Sequence, residues 1–188
     1  TDGSGVLSFA AAAGGGAMVY ISSVTVSSSV ATAAFLSSFS STYDVYIVRY
    51  CDVVPVTDGA YFGLRIAQGG SAVSASQYRQ ATTQRKTDGD STGNGETGSS
   101  EFDIHLNPSG NATGEHASGE AVFYKPLSTS SYKSVGWRNA HTTNTGVYVH
   151  NIGAGSYWSA TATSGFLFRF SSGDIASGTF RLYGIVNS

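Results

Sequence analysis

Ser177-Gly178-Thr179-Phe180-Arg181-Leu182-Tyr183-Gly184-Ile185-Val186-Asn187 decides the fold class of this chain. Phe180, Leu182 and Gly184 alternate with Thr179, Arg181 and Tyr183, the period of two that marks a strand with one face buried. The alternation runs almost to the last residue, so this strand is expected to belong to the core and to close the fold.

The same signal recurs upstream. Met18 to Val26 alternates, and Val45-Tyr46-Ile47-Val48-Arg49-Tyr50-Cys51 is apolar on both faces except for Arg49, which places it centrally and requires the arginine to be paired or to reach an edge. Phe62, Leu64 and Ile66 alternate with Tyr61, Gly63 and Arg65, and Phe102, Ile104 and Leu106 repeat the pattern. Gln77 to Thr83, Glu120 to Tyr124, Tyr132 to Asn139, Gly146 to Asn151 and Gly155 to Ala160 read as further strands, and Phe166, Phe168 and Phe170 form an aromatic stripe assigned to core or to an interface between chains. Over Thr32 to Phe39, a helical turn competes with strand. Lys86 to Ser100 reads as a polar loop because Gly89, Gly93, Gly95 and Gly98 interrupt it. About ten strands with turns between them and no amphipathic helix specify an all-β fold, an antiparallel two-sheet β-sandwich or jelly roll spanning residues 18–188.

Composition agrees. The 188 residues suit one domain, and 40% hydrophobic residues are ample for a core. Charged residues make up 12%, about half the roughly 25% usual for soluble domains, so Ser, Thr, Gly and Asn supply most of the wetted surface, as in long-lived extracellular proteins. A net charge of −2 without a basic cluster argues against nucleic acid as a partner. No run approaches the length of a membrane span, and no membrane insertion is expected. The single cysteine, Cys51, excludes an intrachain disulfide and reads as a small buried hydrophobe. Thr1 stands where a Met would open a complete chain, as in a segment cut from a longer polypeptide. Residues 1–17, with a short apolar run and Gly14 to Gly16, read as an extended connector.

Several phrases resemble the C-terminal domains of tail fibres of tailed bacteriophages, especially those of marine and cyanobacterial hosts. They are Thr1-Asp2-Gly3-Ser4-Gly5-Val6-Leu7-Ser8-Phe9, Phe39-Ser40-Ser41-Thr42-Tyr43-Asp44-Val45-Tyr46, Val54-Pro55-Val56-Thr57-Asp58-Gly59 followed by Leu64-Arg65 and Gly69-Gly70, then Gly119-Glu120-Ala121-Val122-Phe123-Tyr124 and Gly178-Thr179-Phe180-Arg181-Leu182-Tyr183-Gly184. The phrases occur in family order and span most of the chain, while Met18 to Ala34 and Tyr78 to Gly98 match nothing definite. The resemblance implies a homotrimeric, virion-borne, extracellular domain at a fibre tip, joined to an upstream shaft and contacting a host-cell surface glycan or protein. It implies no catalytic residue and no cofactor.

Asp103 with Glu120, or Asp52 with Asp58, supply the paired carboxylates that glycoside cleavage requires, although any β protein offers such pairs. Asp88 to Glu96 has oxygens at alternating positions and a glycine sixth, as a calcium loop would, yet its twelfth position is Ser99 where a bidentate Glu belongs. His105, His116, His141 and His150 lack metal-ligand spacing, and Asn111-Ala112-Thr113 fits a glycosylation acceptor that would be chance in a phage protein made in bacteria, as the resemblance implies. The binding candidates are aromatics among polar residues, since a sugar's apolar face stacks on a ring while polar neighbours hold its hydroxyls. These are Trp137, Arg138, Asn139 and His141 with Asn144, and Tyr157 with Trp158; packing in the core is the competing reading for both tryptophans. The expected function is noncatalytic attachment, against a polysaccharide depolymerase or a structural head-fibre domain.

Overall fold

The computed structural model describes residues 18–186, so the connector expected over residues 1–17 lies outside the described residues. Thirteen strands follow in order: β1 (Met18–Val26), β2 (Ala33–Phe35), β3 (Tyr43–Pro55), β4 (Phe62–Gln68), β5 (Ser71–Ala72), β6 (Tyr78–Lys86), β7 (Ser91–Ser99), β8 (Phe102–Asp103), β9 (Ala117–Tyr124), β10 (Lys133–Thr142), β11 (Tyr148–Tyr157), β12 (Gly165–Phe170) and β13 (Ile175–Val186). An eight-stranded sheet runs β1-β13-β3-β9-β10-β11-β6-β7, and a smaller one runs β2-β12-β4-β5 with β8 paired to β4. All pairings are antiparallel, and the two sheets form a β-sandwich.

The closing segment behaves as its alternation dictates. β13 lies between β1 and β3, with Phe180, Leu182 and Gly184 buried. Gly184 must lack a side chain, because a Cβ there would stand 2.4 Å from the Tyr43 ring. Between the sheets Tyr50 packs against Phe62 and Phe168 at ring-centroid distances of 5.4 and 5.3 Å, and Phe123 stacks on Phe166 at 4.4 Å. Phe166, Phe168 and Phe170 are all buried, which assigns the aromatic stripe to the core. Arg49 is paired: its Nε lies 3.3 Å from Glu120 on β9.

Several segments differ from the reading of the sequence, and of the strand read over Phe102 to Leu106 only β8, Phe102–Asp103 paired to β4, forms. Lys86 to Ser100 is not a loop. After a turn at Thr87 to Asp90 the chain returns as β7, paired to β6 from Arg85↔Ser91 to Tyr78↔Ser99. Backbone hydrogen bonds build this edge strand without apolar side chains, and its glycines and polar residues leave the exposed edge unattractive for further pairing. The two strands expected between Gly146 and Ala160 are one, β11, because β10 and β6 both pair along its whole length. In β1 a register shift between Tyr20 and Ser22 turns Tyr20 to the face opposite Ser22, Val24 and Val26. Cys51 is exposed, contrary to expectation, because Val48 and Tyr50 occupy the inward phase of β3 and the residue after Tyr50 points out. At 32–39 strand prevails over the helical turn for three residues, Ala33 to Phe35, before the chain bends.

The small sheet does not cover all of the large one. Near β10, β11 and β6 the interior is finished by Phe102 of β8 and by the segment 104–109, so the large sheet's inner face changes there from aromatic to polar side chains. Among the described residues, its outer face has no second layer.

Candidate functional site

Strand parity on β10 separates the sequence-derived candidates. Val135, Trp137, Asn139 and His141 point inward and are buried, whereas Ser134 and Arg138 point outward. Trp137 is 3% exposed, its ring 5.7 Å from that of Phe102 and lying against Gly153, where a Cβ would come within 2.4 Å of the indole. Trp137, Asn139 and His141 are therefore interior residues, not a sugar-facing surface. Tyr157 is likewise buried, its ring 5.0 Å from Tyr78. Asn144 is exposed but lies elsewhere, in a small depression with Lys86 and Asp88. Of the seven candidates only Arg138 and Trp158 reach the outer face of the large sheet.

The inward set forms a polar network at the end of the core. Asn139 Nδ2 donates to the Ile104 carbonyl at 3.1 Å, and Asn151 Nδ2 donates to Asn139 Oδ1 at 2.9 Å and contacts His141 Nδ1 at 3.3 Å. The rings of His105 and His141 stack at 3.8 Å and 6°, and His105 Nδ1 pairs with Ser109 Oγ at 2.7 Å. Burial holds both imidazoles in the neutral form. It lowers the pKa of His141 to about 4, and for His105, where the neighbouring His141 adds to burial, well below the usual range.

The outer face holds the more promising geometry. Trp158 follows β11 and Tyr132 precedes β10, which brings them side by side with centroids 4.9 Å apart and planes within 18°. The Arg79 guanidinium on β6 covers the Trp158 ring, its Cζ 3.3 Å from the centroid. Tyr132 and Trp158 remain 50% and 40% exposed. Lys133 fixes this corner from beneath: its buried ammonium donates to the carbonyls of Ser128, Ser131 at 2.8 Å and Ser159 at 3.2 Å, which ties down the turn before Tyr132 and the residue after Trp158. Burial lowers the pKa of this lysine.

Beside the stack lies a shallow depression of about 580 Å³ between Arg79 and Tyr124, bordered by Glu96 and Thr97 of β7 and floored by Ser134, Gly136, Ala154 and Ser156. Tyr124 and Gly136 also line a second depression of about 250 Å³ that leads to Ile152, Arg138 and Glu120. Glu120 is clasped by Arg138 Nε at 2.9 Å and Arg49 Nε at 3.3 Å. Flat rings, hydroxyls and guanidinium edges around a floor of small side chains can stack on and hydrogen-bond a sugar.

The carboxylates pair differently from expectation. Glu120 is held by its arginines, and Asp103 meets Glu96 instead: Gln80 Nε2 donates to Glu96 Oε2 at 3.0 Å and to Asp103 Oδ2 at 2.8 Å. Burial, then the hydrogen bond and charge of Glu96, raise the pKa of Asp103 to about 6. In the expected calcium run, Asp88 and Asp90 lie 3.4 and 2.9 Å from the Lys86 ammonium, and the chain then extends into β7. Among the described residues no group of three or more His, Cys, Asp or Glu side chains is placed to hold a metal ion.

Tyr132, Tyr124 and Arg79 escaped the reading of the sequence. Tyr132 shares strand parity with Arg138, a signal that was present; its meeting with Trp158 depends on the β10–β11 register. No family model matches this chain, and neither a curated protein nor a solved structure matches it.

Proposed function

We propose that this chain is a noncatalytic attachment domain, carried as a homotrimer at the tip of a virion tail fibre, that recognises a host-cell surface glycan through the outer face of its large sheet. The observation that carries this reading is the exposed Tyr132–Trp158–Arg79 stack beside a depression with a floor of small side chains. Held rigid by Lys133, the two rings offer a ready surface for a sugar's apolar face at small entropic cost. Self-association is supported by apolar residues at the β1 end of the same sheet, where Met18, Val19 and Tyr20 are exposed. Three copies on one fibre convert weak sites into avid attachment.

The test is competition. Excess soluble domain is expected to block virion adsorption to host cells, and Trp158→Ala to abolish the block while leaving thermal unfolding intact. Sustained release of reducing ends from host capsule would point instead to a depolymerase, and absence of any competition to a structural virion part.

A further inference from the structure

The chain carries a net charge of −2, yet its charges are not mixed evenly. Five of its seven arginines project from the outer face of the large sheet: Arg181 on β13, Arg49 on β3, Arg138 on β10, and Arg79 and Arg85 on β6. The register lines up Arg181, Arg49, Glu120 and Arg138 across four adjacent strands, so Glu120 is the one carboxylate in that ladder. Five cations against that one carboxylate give these outward positions a net +4, and Glu96, which also borders the depression, is hydrogen-bonded by the buried Gln80. The two remaining arginines, Arg65 and Arg169, are taken up by Glu101 at 3.0 Å each. Six of the twelve acids lie in connections or at the rim away from the ladder: Asp58, Asp88, Asp90, Glu115 and Asp174, with Asp52 in the bulge beside His116.

Arg79 is the decisive residue. Its guanidinium stands over the Trp158 indole, with Cζ 3.3 Å from the ring centroid, and among the described residues no carboxylate forms a salt bridge with it. A planar guanidinium fork without a carboxylate partner, beside a sugar-sized depression, is suited to a carboxylate or a sulfate. From Arg79, the face continues to Arg138 two strands away and to Arg85 six residues along β6, about 20 Å at strand rise.

We infer that the ligand of this face is an anionic polysaccharide, a uronate- or sulfate-bearing glycan whose acidic groups are taken by Arg79 and Arg138 while a neighbouring ring stacks on the Tyr132–Trp158 corner. This rests on the reading of the outer face as a glycan-binding surface and adds the ligand's charge. A nucleic acid fits less well. A duplex presents one charge per about 1.7 Å, far denser than four net charges over about 20 Å.

The test titrates the full chain, followed by tryptophan fluorescence and calorimetry, with polygalacturonate, dextran sulfate, neutral dextran and a single-stranded oligodeoxynucleotide. Expected are binding of one or both acidic polysaccharides, at least tenfold weakening in Arg79→Gln and in Arg138→Gln, and a similar loss as salt rises from 50 to 500 mM, because exposed charges are screened beyond a few ångströms at high salt. Lys125→Gln, the same charge change on an exposed turn, should leave the affinity unaltered. A response to polygalacturonate without one to dextran sulfate would assign the carboxylate, and the reverse the sulfate. Binding of neutral dextran as tight as that of either acidic polymer, with Trp158→Ala abolishing it, would overturn the anionic specificity and leave the glycan-binding reading standing. Tighter binding of the oligonucleotide, equal losses in Lys125→Gln and Arg79→Gln, or no binding of either acidic polymer would also overturn it; adsorption competition by the domain then decides the broader reading separately.

Discussion

Trp137 and Trp158 stand on neighbouring antiparallel segments, yet one is inside the sandwich and the other on its bare face. Trp137 lies over Gly153, closed in by Phe102 and next to a neutral, hydrogen-bonded polar layer. Trp158 lies between Tyr132 and Arg79 with solvent beyond them. The residue type is the same, and the strand face alone separates a core residue from a recognition residue. Inner-face substitutions should therefore cost stability, and outer-face ones should cost binding.

The sharpest way to break this division is Trp137→Ala, expected to lower the unfolding free energy by about 3–5 kcal/mol by leaving a cavity over Gly153. Denaturant unfolding checks it, and a loss under about 1 kcal/mol would show that the inner face is not packed as described. Acidification probes the same region. The folded pKa values of His105 and His141 lie below the unfolded value, so their contribution is complete above about pH 6.5 and falls away as pH drops toward the folded values. His141 alone should remove about 3 kcal/mol between pH 6.5 and 4. Asp103 acts in the opposite sense, since its raised pKa favours the folded state as pH falls from about 6 toward 3.8. Thermal melts across this range should show net destabilisation in acid, reduced in His141→Gln and steeper in Asp103→Asn.

Gly153→Ala, smaller again, places a methyl against the Trp137 ring and should cost about 1–3 kcal/mol by overpacking. Pairing it with Trp137→Phe, which opens space there, should recover part of the loss, a coupling readable in a double-mutant cycle. The smallest effect on stability belongs to Trp158→Ala, at most about 1 kcal/mol from the lost stacking, accompanied by complete loss of glycan binding. Unaltered binding would end the distinction between the two faces.

Much of this arrangement was legible in the residues. Alternation in β13 and β4 gave Phe180, Leu182, Phe62, Leu64 and Ile66 one buried face, the Phe166–Phe168–Phe170 stripe read as core or as an interface between chains, and turn residues between them indicated stacked antiparallel sheets. The site was legible only in part. Tyr157-Trp158 contained one inward and one outward residue, and Trp137 to His141 alternated in the same way, so reading each segment as a unit mixed the two faces. β7 gave no signal, because a strand of Ser, Thr, Gly and Asn owes its existence to the backbone of β6.

The sequence by itself determined that this chain builds layered antiparallel sheets around aromatic side chains, because a period of two in apolar residues is a local property. Which face of each strand met the second layer, which glycines received the rings of Trp137 and Phe102, and which arginines gathered on one surface were decided only by the tertiary structure. Those outcomes depend on pairing register between residues far apart in the chain, and a shift of one position would have exchanged the inside with the outside.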